Sequence, residues 1–143
     1  MKFFIDVDFW RMELSNISDS AVIGKGSTIH SHVVIYDDVI IGNNCKIQAR
    51  AFIPNGITLE NNVFIGPAVV FTNDPKPPSD HKGWEKTLVK EGASIGANST
   101  ILSGLTIGKN AMVGAASLVT KDIPDGEVWV GSPAKFYKKR KDL

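Results

Sequence analysis

The sequence predicts an all-β chain wound as a parallel β-helix, and three observations predict it. The first is an apolar column at every sixth residue. It runs Ile17, Ile23, Ile29, Ile35, Ile41, Ile47, Ile53, Leu59, Ile65 and Phe71, then Val89, Ile95, Ile101, Ile107, Val113 and Val119, and 15 of these 16 positions hold Ile, Leu or Val. The second is a column three residues further on, where 11 of the 16 positions hold Gly, Asn or Asp, residues that accept positive φ. The third is the interruption: Phe71 to Val89 is 18 residues, so the frame returns in phase. A fixed period of six marks a β-helical solenoid. Neither the helix period nor the strand period explains both columns.

The physics of such a coil is simple. Three hexapeptides make one triangular turn, and short parallel strands stack turn on turn roughly 4.8 Å apart. First positions point inward and fill a narrow prism, at about 25 cal/mol per Å² of apolar surface buried. Fourth positions turn the corners. The 16 hexapeptides amount to about five coils.

Taken in order, residues 1–16 precede the repeat. Phe3, Phe4, Ile5, Val7, Phe9 and Trp10 are too apolar for a free tail and read as a cap over the open first coil. Residues 17–74 form ten hexapeptides. Residues 75–88 break the frame with three prolines and Gly83, which marks a protruding loop of the length that carries function. Residues 89–124 resume with six hexapeptides. In residues 125–143, Val128-Trp129-Val130 reads as a last strand. Gly131-Ser132-Pro133-Ala134-Lys135 then reads as a turn into a short C-terminal helix, with Ser132 as N-cap and Pro133 at the first helical position. The whole of 1–143 is expected to be one domain.

Composition excludes several classes. A net charge of +1 offers no general case for nucleic acid. No run approaches the roughly 20 apolar residues of a membrane span, and Asp6 falls too early for a signal peptide. The lone Cys45 excludes an intramolecular disulfide and suits a reducing compartment, so the expectation is a cytoplasmic protein. Cys45 occupies a fifth position, in a column with Ala51, Val63 and Ser99, and reads as a buried structural thiol.

Residues 17–124 resemble the left-handed parallel β-helix of hexapeptide acyltransferases, and the handedness rests on that resemblance alone. The run from Gly66 to Asp74 (Gly-Pro-Ala-Val-Val-Phe-Thr-Asn-Asp) adds a narrower likeness. With Pro77-Pro78-Ser79-Asp80 behind it and Lys46-Ile47-Gln48 upstream, it resembles acetyltransferases that act on the 3-amino group of nucleotide-linked amino sugars. The resemblance implies a dTDP- or UDP-linked amino sugar as acceptor and acetyl-CoA as co-substrate. It places Asn73 at the acceptor sugar, with Gln48, Asp74 and Lys76 on the same substrate side. Many relatives carry an Arg beside the Pro-Ser of the loop, whereas here Lys76 is the nearest cation. A plainer reading of Asn73-Asp74 is a loop-opening Asx-turn.

Coils of 18 residues align Asn55, Asn73, Ser103 and Lys121 at one corner, and Ala49, Pro67, Ala97 and Ala115 at another. In relatives the pantetheine arm lies in such a groove between subunits, which implies Ala97, Ser103, Gly104, Ala115 and Lys121 as coenzyme contacts. Corner packing alone also explains the alanines. Lys135, in the segment Gly-Ser-Pro-Ala-Lys, is the implied phosphate contact. Lys138, Lys139, Arg140 and Lys141 behind it suit phosphate or a solvated basic tail.

A sugar amine is nucleophilic once neutral, and needs orientation and oxyanion stabilisation more than a base. An alcohol needs a base. His81 enters as a catalytic candidate on that ground, and an O-acetyltransferase using His81 is the alternative enzyme reading. His30 and His32 fall at second and fourth positions, outward or at a corner, and His30, two coils from Asn73, reads as structural. The three histidines lack the spacing of the three-histidine carbonic anhydrases of this fold, so no metal is expected. A non-catalytic trimeric β-helix is the remaining alternative. Val34, Phe52, Phe64, Val70 and Leu102 point outward and ask for a partner. A closed oligomer follows, and the resemblance makes it a homotrimer.

Overall fold

The structure is a computed structural model that describes residues 6–9 and 12–142. Strands of two or three residues stack into three parallel sheets that wall a triangular prism. The register is the hexad frame: Ile65 lies beside Ile47 on one coil and Ile95 on the next. From Ile29 onward, the first-position side chains are 0–1% exposed, a continuous aliphatic column. Phe71, its single aromatic member, is fully buried at the base of the loop. The fifth-position column is buried with it. Cys45 donates from Sγ to the Glu60 carbonyl at 3.1 Å, and burial outweighs its hydrogen bonds to push the thiol up.

The corners explain the second column. Nine of the Gly, Asn and Asp residues there have positive φ, from Gly26 to Asn110. Asp74 and Asp122 do not, and His32, Arg50, Ala68 and Ala116 do, with φ between 56° and 66°. At most corners stacking thus imposes the left-handed conformation on His, Arg and Ala as well as on Gly and Asn, at a cost of about 1 kcal/mol for a non-Gly residue. Close stacking sets a stricter demand one column away. A Cβ at Gly66 would lie 2.7 Å from the Ala97 nitrogen, and one at Gly96 would lie 2.5 Å from that of Ala115.

Three expectations are corrected. The largest sheet holds seven parallel strands rather than about five coils, because Asp8–Phe9 and Glu127–Gly131 add rungs beyond the hexad frame. The short C-terminal helix is absent: Ala134–Lys139 is a strand, antiparallel to Glu127–Gly131. The last rung presents an unpaired edge, and Phe136 and Tyr137 suit a strand laid on it, so edge pairing overrides the Ser-Pro helix signal. The loop is also shorter than 75–88. Thr87 and Leu88 already lie in the strand Thr87–Val89, paired with Ile57–Leu59.

At the N-terminus, Val7 and Phe9 pack on the core as a cap should. Phe3, Phe4, Ile5 and Trp10 fall outside the described residues. At the other end Arg140, with a side chain only 10% exposed, donates to the carbonyls of Gly92, Asn110 and Ala111. The basic tail is therefore not uniformly solvated, since this guanidinium ties the C-terminal strand to the coil corners. No helix among the described residues is long and apolar enough to cross a membrane.

Candidate functional site

The loop leaves the corner between the six-stranded and five-stranded sheets after Asn73 and returns to the same corner at Glu85. The Glu85 nitrogen donates to the Asn73 carbonyl at 2.7 Å, closing the neck. Asn73 Nδ2 donates to the Asn55 carbonyl one coil below, at 3.2 Å. The corner column is therefore Asn55, then Asn73 and Glu85 side by side, then Ser103, whose hydroxyl donates to Glu85 Oε2 at 2.7 Å.

Asp74 organises the loop itself. Its Oδ1 accepts from the Lys76 nitrogen and the Ser79 hydroxyl, and its Oδ2 from the Ser79 nitrogen. Desolvation raises its carboxyl, but these three bonds outweigh that and hold it below the ordinary Asp range. Asp80 caps the short 3₁₀ turn His81–Gly83, accepting from the Lys82 nitrogen.

Three cavities surround this corner. One of about 600 Å³ has an apolar floor of Phe52, Val70 and Leu102 and a polar wall of Asn73, Glu85 and Ser103. Thr120 lies at its far end and also lines a smaller cavity of about 210 Å³ that holds Lys121 and Lys135. A separate cavity of about 400 Å³ lies on the other side of the loop, lined by Asp38, Asn55, His81, Trp84 and Lys86, with Glu85 shared. His81 stacks on Trp84 with ring centroids 4.3 Å apart.

The structure thus brings together Asn73, Asp74 and Ser103 around one cavity, and Lys121 with Lys135 around the adjoining one. Gly104 lies beside Ser103, at the corner next to the Glu85 carboxylate. His81 lines a different cavity from Asn73. Lys76 is exposed on the loop. Gln48, Ala97 and Ala115 belong to the corner between the eight-stranded and six-stranded sheets, away from Ser103 within one chain. Among the described residues no group of three His, Cys, Asp or Glu side chains is gathered for a metal.

Glu85 is the residue that the sequence reading missed. The frame contained a signal for it: Glu85 stands 18 residues before Ser103, one coil exactly in phase. Treating all of 75–88 as loop hid that relation.

The bacterial transferase hexapeptide family matches residues 20–55, and the hexapeptide repeat of succinyl-transferases matches residues 91–121. Bifunctional protein GlmU of Streptococcus suis is 34% identical over 131 residues, covering 84% of this chain and 27% of that protein. A dTDP-3-amino-3,6-dideoxy-α-D-galactopyranose 3-N-acetyltransferase of Aneurinibacillus thermoaerophilus is 48% identical over 51 residues, covering 36% of this chain and 27% of that protein. A solved GDP-perosamine N-acetyl transferase variant of Caulobacter crescentus, in complex with CoA and GDP-perosamine, superposes with a TM-score of 0.77 at 27% identity. That match covers 88% of this chain and 54% of the other, so the chain spans about half of the solved relative's length. The chain is a hexapeptide-repeat β-solenoid that resembles the amino-sugar N-acetyltransferases.

Proposed function

We propose that the chain is an acetyl-CoA-dependent N-acetyltransferase acting on the amino group of a dTDP- or UDP-linked 3-amino-deoxy sugar. The observation that carries this is the run of two cavities that meet at Thr120, with Asn73 at one end and Lys121 and Lys135 at the other. A sugar fits against the apolar floor, and a long phosphorylated thiol fits the remainder.

In this reading the neutral amine attacks the thioester carbonyl carbon. A nitrogen–carbon bond forms, the carbon–sulfur bond breaks, and the departing thiolate takes the proton that nitrogen gives up. Asn73 orients the sugar, and its side-chain bond to the Asn55 carbonyl holds it in place. Lys121 and Lys135 meet coenzyme phosphates. Gln48, Lys76, Ala97, Ser103, Gly104 and Ala115 keep the substrate and coenzyme roles implied by the resemblance. Ala97 and Ala115 lie on another corner, so in this reading they complete the groove from a neighbouring copy, within the homotrimer that the resemblance implies. His81 faces a different cavity from Asn73, which favours the amine acceptor over an alcohol acceptor served by a histidine base.

The test is a thermal melt with acetyl-CoA, then with a panel of nucleotide-linked 3-amino and 4-amino sugars. A ligand at 100 times its Kd stabilises by roughly 2.7 kcal/mol. Stabilisation by acetyl-CoA and by one amino sugar supports the reading, and turnover of that pair completes it. Absence of any shift with the coenzyme rejects it.

A further inference from the structure

The larger cavity has an unusual electrostatic composition. Two carboxylates line it, Asp74 and Glu85, and no Lys, Arg or His does. The two differ in what they have left to offer. Both oxygens of Asp74 are taken by Ser79 and Lys76, so it is committed to the loop. Glu85 spends one oxygen, Oε2, on Ser103, makes no ion pair among the described residues, and keeps Oε1 without a hydrogen bond.

The carboxylate also has a built seat. Ser103 donates to it from one side, and a Cβ on Gly104 would lie 2.6 Å from Oε2 and 3.1 Å from Cδ, so a side chain there would push the carboxylate aside. The backbone nitrogen of Glu85 is pinned to the Asn73 carbonyl, and both residues line the same cavity. Glu85 is exposed at the mouth of this cavity, and a carboxylate at an opening lined by no Lys, Arg or His offers a docking point to an incoming cation.

We infer that Glu85 is the specificity determinant of this site: its carboxylate receives the ammonium of the acceptor and selects amines over alcohols. The assignment rests on the amino-sugar reading above and sharpens it. Once the ammonium has lost a proton to water, the neutral amine donates a hydrogen bond to the same Oε1, so the nitrogen stays in register for attack. Besides the coenzyme role given to them above, Ser103 and Gly104 hold the orientation of Glu85.

The experiment compares full-length wild type, Glu85→Gln and Gly104→Ala. Binding is measured for a nucleotide-linked amino sugar and for its analogue with hydroxyl in place of amine, alongside acetyl-CoA binding and steady-state kinetics. Wild type is expected to prefer the amine by roughly ten- to hundredfold, as a charge-assisted hydrogen bond allows. Glu85→Gln is expected to lose that preference and to raise KM for the acceptor by a similar factor, with acetyl-CoA affinity unchanged. Gly104→Ala displaces the carboxylate and moves the preference the same way, while Ala68 and Ala116 show that alanine is tolerated at such a corner. If Glu85→Gln keeps the wild-type preference while wild type turns over the amino sugar, the assignment fails and the reading survives. If wild type neither binds acetyl-CoA nor turns over any amino sugar, the reading fails and takes the assignment with it.

Discussion

Ser79 donates twice to Asp74, at 2.7 Å from its backbone nitrogen and at 2.7 Å from its hydroxyl, and so folds the loop back on its own first residue. Asp74→Ala removes both acceptors and is expected to speed hydrogen exchange at the Lys76 and Ser79 amides while leaving the coil amides unchanged. Equal protection in variant and wild type would show that the prolines order the loop without Asp74.

The same pair sets a pH dependence. The folded carboxyl is depressed, so its contribution is complete above the ordinary Asp value of 3.8 and is lost as pH falls through the lower folded value. Exchange at Ser79 is therefore expected to stay slow at neutral pH and to accelerate only in strong acid. Acceleration already near neutral pH would mean that a group other than Asp74 controls the loop.

Core substitution tests the solenoid. Ile65 is fully buried between Ile47 and Ile95. Ile65→Ala is expected to cost about 2–5 kcal/mol in denaturant unfolding. A cost below about 1 kcal/mol would mean that the prism collapses around the missing methyls.

Arg140 separates a structural cation from a coenzyme-binding one. Its guanidinium sits over four acceptors at the coil corners, those of Gly92, Ser94, Asn110 and Ala111. Arg140→Ala is expected to lower stability by about 1–3 kcal/mol by stranding those acceptors, with acetyl-CoA affinity unchanged. Unchanged stability with weakened coenzyme binding would reverse the assignment.

Lys121→Ala combined with Lys135→Ala is expected to show the opposite pattern. Coenzyme affinity should fall by roughly tenfold, most at low salt, with little change in the melt. A loss independent of ionic strength would point to packing in place of charge.

The coil was legible because its two columns answer to one geometry, apolar at Ile47, Ile65 and Ile95 and turn-competent at Asn44, Asn62 and Gly92. Legibility ended where partners decide. Ser132-Pro133 carries a sound local helix signal, yet the open edge at Glu127–Gly131 offers the chain more hydrogen bonds than a short isolated helix would. Ala68 and Ala116 conceal corners because stacking, not residue preference, fixes their φ. The candidate site divides the same way. Asn73 was marked by its motif, whereas Glu85, although in frame with Ser103, was hidden inside an apparent loop until the neck closed and set it against the Ser103 hydroxyl.

The neck of the loop, where the Glu85 nitrogen meets the Asn73 carbonyl, decouples the loop from the scaffold. Everything between those residues is extruded, and the coils above and below keep their stacking whatever its length. Closing a longer excursion costs only about 0.6 kcal/mol for each doubling. The loop is thus an exchangeable cassette on an indifferent frame, free to change in length and sequence without renegotiating the coils that carry it.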